Sequence, residues 1–545
     1  MRHALLRASL TLLVPFLMSV PCRAGKSEGA ITIVLPDGAS APVRFAAREL
    51  VKYLTAMGNA KPKVVQSPEE GDIYLGILPG VLSREERRVI ETKLKGAESD
   101  SFIIRSVGNC LVVYGNSPRA HLYGTYHYLE TLGARWYFPG PANEVVPRAA
   151  VRLDGYDIWQ VPSFRKRGIL IFSTTPGFED LVDFAAKAKL NTIGLHAIPY
   201  SQERDVGLDY ATKVAAPRGL TVDIERHLFG SAFCPDDAAS LEREKKTLLD
   251  YVGLLPADMN RFFLWPADTY LTPCTSPQYA HYTASDLGMW FANQMVMTLH
   301  KSRPQAEFAF LSYLSTWRPP EYEKPMPGVI LEWAPMFQSF AYGLDDPRSR
   351  TNGEYRTDFE ALLKIFGGGN TQVLGYWLDD TLFSRTFYGH LPYNPGALQD
   401  DLSYYDRMGV RAVTTFGVIT GRDYFLSHAS PAVFLYPRLL WDVGANTREL
   451  MQDFCRNYFG SESALEVFDA LAEADRMVYV EKHHLQAQAL DDREFVATVS
   501  RAMRVAGVLL NSQEDAQKRA RAALLVDEVV SRLIGPEFSE HSSAD

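Results

Sequence analysis

From about residue 160 onward, short apolar runs alternate with stretches whose apolar residues recur every three or four positions. The runs are Arg167–Ser173, Leu190–His196, Gly219–His227, Phe262–Asp268, Ala306–Tyr313, Val329–Glu332, Val373–Asp379 and Ala412–Phe416. Short, largely apolar and alternating with helical stretches, they predict parallel strands. Between them, helical spacing predicts helices at 178–189, 238–254, 283–301, 357–366 and 397–407. Eight strands over roughly 260 residues predict an α/β fold of the (β/α)8 TIM-barrel type, spanning 160–428.

The flanks read differently. Residues 31–37 and 72–78 predict strands, and 42–57 predicts a helix with Val43, Phe45, Ala46, Leu50 and Leu54 on one face. Phe102–Tyr114 with its Gly108-Asn109 centre predicts a hairpin. Ser117 then caps a helix that runs to about Leu132 and stops at Gly133. Strands with helices on one face predict a small α+β domain at 28–155. After 430 the pattern is helical, with helices expected at 447–458, 462–484, 491–511 and 513–534, giving a helical C-terminal domain at 430–535.

Length changes the picture little, since 545 residues already require two or three domains. Charge excludes more. A formal net charge of −9 disfavours nucleic acid as a partner. Residues 1–24 predict an export leader, with Arg2, His3 and Arg7 ahead of an apolar core and a small-residue exit at Ala24. That core is too short to span a membrane, and no later segment is long and apolar enough. The expected location is therefore periplasmic or extracellular. Cys110, Cys234, Cys274 and Cys455 form no CxxC pair, which speaks against a structural zinc. A Cys234–Cys274 disulfide suits an exported chain, but four buried thiols is the preferred expectation.

Three of the apolar runs end in acids. Arg261–Tyr270 is apolar through Trp265, breaks at Pro266 and delivers Asp268. Val329–Pro335 carries Glu332, and Gln372–Asp380 ends in Asp379 and Asp380. In a (β/α) barrel such groups stand at the C-terminal mouth. Paired carboxyls across a sugar bond are what glycoside hydrolysis requires. Asp268 and Glu332 are therefore the expected catalytic pair. Glu332, flanked by Leu331 and Trp333, is the expected acid, and Asp379 assists. Asp379 and Asp380 are adjacent, so only one should face the cleft. His196 and His227 end strands two and three and are expected to contact substrate, as are Trp265, Tyr313, Trp333, Trp377 and Asp380. The two histidines lack the spacing of a metal motif, so no metal is expected. Arg167 opens strand one near the barrel bottom and predicts a structural ion pair. Gly367-Gly368-Gly369 lacks the P-loop lysine, no Gly-x-Ser-x-Gly elbow occurs, and no cofactor is implied.

The stretch Ala120–Gly140, a helix, the Gly133 turn and the exit Arg135-Trp136-Tyr137-Phe138-Pro139-Gly140, resembles the accessory domain that precedes the barrel in α-glucuronidases and β-N-acetylhexosaminidases. Over nearly all of the chain after residue 24, the sequence resembles the secreted bacterial family called domain of unknown function 4838. That resemblance rests on the same exit, Arg167-Gly168, Trp265–Asp268, and the tail segment Tyr436–Gly460. Relatives often carry a cysteine cluster after the strand-four acid, where this chain has only Cys274. The resemblance implies a sugar-hydrolase architecture and a carbohydrate partner, either a uronic-acid- or an N-acetylhexosamine-containing glycan. A non-catalytic glycan-binding protein on the same scaffold is the alternative, and a metal-dependent hydrolase using His196 beside His227 is a third.

Overall fold

A computed structural model describes residues 31–66, 71–80, 82–171, 177–196, 203–379, 391, 393–417, 430–480, 484–485 and 493–533. The expected leader and Asp380 lie outside these residues.

The front of the chain forms one six-stranded mixed sheet in the order β2-β1-β3-β5-β4-β8. Its strands are β1 (Thr32–Val34), β2 (Lys63–Val65), β3 (Ile73–Leu75), β4 (Phe102–Val107), β5 (Cys110–Gly115) and β8 (Asp157–Gln160). The expected hairpin is β4–β5, and Gly108 takes the positive φ (57°) that its turn requires. Helices Ala41–Ala56 and Pro118–Thr131 pack on one face. A third helix, Arg84–Lys95, covers the other face with Ile90 and Leu94 against Val34, Tyr74 and Val112. The sequence reading placed helices on one face only. This helix is mostly charged and exposes all but a narrow apolar edge, so its periodicity was hard to see. A minor pair, β6 (Arg135–Trp136) with β7 (Glu144–Val145), follows.

The next eight strands close into a parallel barrel in chain order: β9 (Lys166–Ile171), β10 (Thr192–Leu195), β11 (Thr221–His227), β12 (Arg261–Trp265), β13 (Glu307–Ser312), β14 (Val329–Trp333), β15 (Thr371–Leu378) and β16 (Ala412–Gly417). Every strand predicted from the apolar runs is present. One crossover departs from the βα repeat. Between β13 and β14 the chain makes only a 3₁₀ turn at Leu314–Thr316. Pro319, Pro320, Pro325 and Pro327 lack N–H donors, which prevents a helix there.

The tail is helical, with helices Pro431–Trp441, Thr447–Phe454, Ala464–Val478, Arg493–Ser512 and Ala516–Leu533. The first of these lies against β9 and β15, as the eighth helix of the barrel would. The expected helix 462–484 stops at Val478, where Tyr479–Val480 pairs with His484–Leu485.

Buried charge joins the layers. Arg167 is fully buried and donates through Nη2 to Asp100 at 2.9 Å, which ties the barrel bottom to the front sheet. Arg135, in the exit motif, donates from Nε to Asp453 at 2.8 Å, and Tyr137 Oη donates to the same carboxylate. Glu130 pairs with Arg438 at 3.0 Å and with Lys189 at 2.9 Å. No described helix is long and apolar enough to cross a membrane.

Candidate active site

Strand β12 ends where it does because Pro266 cannot donate to the ladder. The chain turns there and sets Asp268 at the barrel mouth. Strand β15 is buried at all eight positions. If it were regular, Gln372, Leu374 and Tyr376 would face inward and Asp379 outward. Its register with β16 shifts between Gly375 and Leu378. Such an irregularity re-aims the residues that follow it, and Asp379 joins Tyr376 on the cleft wall.

The resulting cleft, of about 280 Å³, opens at the C-terminal ends of the strands. Asp268 and Asp379 stand in it with His196, His227, Trp265, Tyr313 and Tyr376, while Leu311, Met336, Leu374 and Phe416 supply apolar wall. The volume lies just below the usual range for small-molecule sites, about 300–1,000 Å³. Asp268 is exposed and accepts a hydrogen bond from Tyr313 Oη at 3.2 Å. Asp379 is only 6% exposed. Burial raises the Tyr313 phenol, and the charges of Asp268 and of Asp379 raise it further, so both acids act on one hydroxyl.

The two histidines sit edge to face, with ring centroids 5.5 Å apart. His196 Nδ1 lies 2.9 Å from the Glu225 carbonyl oxygen, and His227 Nδ1 meets that of Pro266. A carbonyl only accepts, so both Nδ1 atoms carry the proton and each neutral ring presents Nε2 as an acceptor. Burial, with His227 and Arg226 nearby, pushes His196 down to about 4; burial also lowers His227. Among the described residues, no group of three or more His, Cys, Asp or Glu is placed to hold a metal ion.

Glu332 departs from expectation. It does not line the cleft but lies inside the barrel beneath Trp265, fully buried. Trp265 Nε1 donates to its Oε2 at 2.6 Å, and Gln372 Nε2 donates to its Oε1 at 2.7 Å. Burial and the nearby Glu225 raise it well above the usual carboxylate range. Glu332 lies one layer deeper than the expected mouth position, because a strand residue at the mouth and one a pleat deeper have the same signature. Trp333 and Trp377 also leave the expected set. Each follows an inward residue and so points out of the barrel. Trp333 stacks on Phe359 at 4.0 Å, and Trp377 Nε1 donates to Asp401 at 3.1 Å. Tyr376, which the sequence also offers as a stacking ring, lines the cleft, whereas Phe416 was missed although strict alternation along β16 would have found it.

Cys234 and Cys274 form a disulfide, against the preferred expectation of free thiols. It links the segment after β11 to the one after β12. The sequence held no distance between them, and only the neighbouring places of β11 and β12 in the barrel bring them together.

Comparison with known proteins agrees with this architecture. The family model described as Glycosyl hydrolase family 67 N-terminus matches residues 19–128, and that described as Domain of unknown function (DUF4838) matches residues 272–469. Among curated proteins, none matches. Of solved structures, a family GH115 4-O-methyl-α-glucuronidase with specificity for decorated arabinogalactans superposes with a TM-score of 0.61 at 14% identity, over 92% of this chain and 71% of that one. A GH138 enzyme targeting pectin rhamnogalacturonan II gives 0.58 at 10% identity, over 92% and 68%. The protein CpGH84B gives 0.57 at 13% identity, over 92% and 86%. The fold is thus that of glycoside hydrolases.

Proposed function

We propose that this protein is an exported glycosidase that uses Asp268 and Asp379 on a glycan containing an N-acetylhexosamine or a uronic acid. The observation that carries the reading is the meeting of two carboxyls, from β12 and β15, with aromatic rings and neutral histidines in one sugar-sized cleft. Asp268 accepts the Tyr313 hydroxyl and takes the role of base or nucleophile. Asp379, more deeply set, is the proton donor. Trp265 and Tyr376 offer ring faces to a pyranose, and His227 Nε2 accepts from its hydroxyls. Glu332 is not assigned to the reaction, since Trp265 stands between it and the cleft.

Charge favours one substrate class. The described lining holds two acids, no Lys or Arg, and histidines kept neutral by burial. A uronate would meet repulsion there without a compensating cation, whereas a neutral N-acetylhexosamine would not. The disulfide supports export, since such bonds persist in oxidising compartments. Purified protein should release product from aryl N-acetylhexosaminides. Asp268→Asn and Asp379→Asn should each lower kcat by about 10²–10⁴-fold with the fold intact. Retained turnover in either variant removes that residue from the reaction. Retention of glycans by the unmodified protein without any cleavage favours the binding-protein alternative.

A further inference from the structure

The segment that carries Asp268 does not end at the cleft. It continues through Tyr270, which is 66% exposed, to Tyr279, His281 and Tyr282. Tyr282 stands just before the helix Ala284–His300. Barrel helices run antiparallel to the strands, so the start of this helix lies at the same end of the barrel as Asp268. There the rings of His281 and Tyr282 meet Tyr322, from the proline-rich crossover between β13 and β14. Tyr322 is 54% exposed and lies parallel to Tyr282, at an interplanar angle of 4° and 5.9 Å between centroids. His281 sits edge-on to both, 5.0 Å from Tyr282 and 4.7 Å from Tyr322, and Tyr279 packs on Tyr282 at 5.2 Å.

This aromatic shelf is held rigidly. One oxygen of Asp286 accepts the backbone N–H groups of Glu321, Tyr322 and Glu323 at 2.7–3.0 Å. Asn293 takes the Met326 N–H and donates to the Lys324 carbonyl, each at 2.9 Å, and Ser285 donates to the Arg318 carbonyl at 2.6 Å. The helix therefore clamps the whole crossover. On the other side, the Cys234–Cys274 bond and the Thr272 N–H to Ser231 carbonyl bond at 2.7 Å pin the 266–283 segment. Tyr282 Oη is fixed on Glu323 at 2.9 Å. Exposed rings are usually scattered singly, and a fixed cluster at the same end of the barrel as the cleft marks a contact surface.

We infer that Tyr282, His281 and Tyr322 form an outer subsite that stacks on sugar units beyond the one held in the cleft, so that the natural ligand is a chain rather than a single sugar. This rests on the glycan reading above. The surface chemistry fits such an occupant better than a protein partner. The rings offer flat apolar faces with hydroxyl and imidazole edges that stay wet, as an amphipathic sugar ring requires. Their chain continuity with Asp268 gives the direction in which the glycan leaves the cleft.

The test compares the full-length protein with Tyr322→Ala, Tyr282→Ala and Tyr322→Phe. Binding is read by native gels containing hyaluronan, glucuronoxylan or arabinogalactan and by titration with chitohexaose. Chemistry is read separately on aryl N-acetylhexosaminides and aryl glucuronides. We expect at least one of the chains to be retained, its Kd to rise about tenfold in both Ala variants, and Tyr322→Phe to bind as the unmodified protein does. Turnover of the aryl glycosides should be unchanged in all three. Absence of retention by any of the chains, or Ala variants that bind as tightly as the parent, overturns the inference. So does sedimentation showing that the unmodified protein self-associates and that the Ala variants abolish it, which would assign the shelf to a second copy. Binding that depends on Tyr322 without any hydrolysis keeps the shelf and removes the glycosidase reading.

Discussion

Glu332 is held by two donors inside a cluster whose charges do not balance. Lys166 lies 2.6 Å from Asp223 and 3.3 Å from Glu225, and Gln372 bridges Glu225 to Glu332. One cation among three acids leaves Glu332 raised well above the usual carboxylate range, through burial first and Glu225 second. Its role is to satisfy the indole N–H of Trp265, the ring that floors the cleft. Glu332→Ala should therefore cost about 3 kcal/mol, because a buried indole and a buried amide lose their acceptor. Glu332→Gln should cost about 1 kcal/mol or less. The Gln372 Oε1 atom has no hydrogen-bond partner among the described residues, so a flipped Gln372 amide can accept from the new side chain. Urea unfolding followed by tryptophan fluorescence distinguishes the two variants. A Gln variant as unstable as the Ala variant contradicts the network. A Gln variant that is stable but at least a hundredfold slower returns Glu332 to the chemistry.

At the scale of elements, the segment from Pro266 to Thr283 decides what the mouth presents. It has no regular secondary structure, and its shape comes from its anchors. The Cys234–Cys274 bond closes a separation of 40 residues. In the loop-entropy account a closure of that size contributes about 4 kcal/mol by constraining the unfolded chain. A Cys234→Ser/Cys274→Ser protein should melt at a lower Tm. Its first proteolytic cut should move into 266–283, and the parent under reducing agent should behave the same way. Unchanged Tm and cleavage sites would show that the backbone and side-chain anchors alone hold the segment.

At the scale of the whole molecule, the three layers are joined by buried ion pairs rather than by one continuous sheet. Burial alone would raise Asp100, but the guanidinium groups of Arg167 and Arg119 overcome this and hold it at about 2. Glu130 is likewise held well below the usual range, against burial, by Lys189 and Arg438. The sign follows from linkage. A carboxyl depressed in the folded state contributes fully above its unfolded pKa of about 4, and the contribution is lost as pH falls toward the folded value. The front sheet should stay docked at pH 5 and loosen between about pH 4 and 2, read by circular dichroism and limited proteolysis. Asp100→Ala should cost about 3–5 kcal/mol at neutral pH, because Arg167 then remains buried without its counter-charge. A loss below 1 kcal/mol would mean that the Lys189 and Phe164 carbonyls, which accept from the Arg167 guanidinium at 2.8 and 2.7 Å, suffice.

The chain alone determined the eight barrel strands, four of the six front-sheet strands with their hairpin, the helical tail, the structural use of Arg167 and the placing of Asp268 after a proline stop. All of these follow from local periodicity or from residues that end an element, and both are properties of neighbours in sequence. Tertiary structure decided which side chains share the cleft. A pleated strand sends successive residues to opposite faces, so one step of register separates Tyr376 from Trp377 and Glu332 from Trp333. The irregularity in β15 that brings Asp379 inward depends on pairing with β16. The disulfide, the depth of Glu332 and the meeting of Tyr282 with Tyr322 arise from closing the barrel, which joins residues by distances that their separation along the chain does not encode.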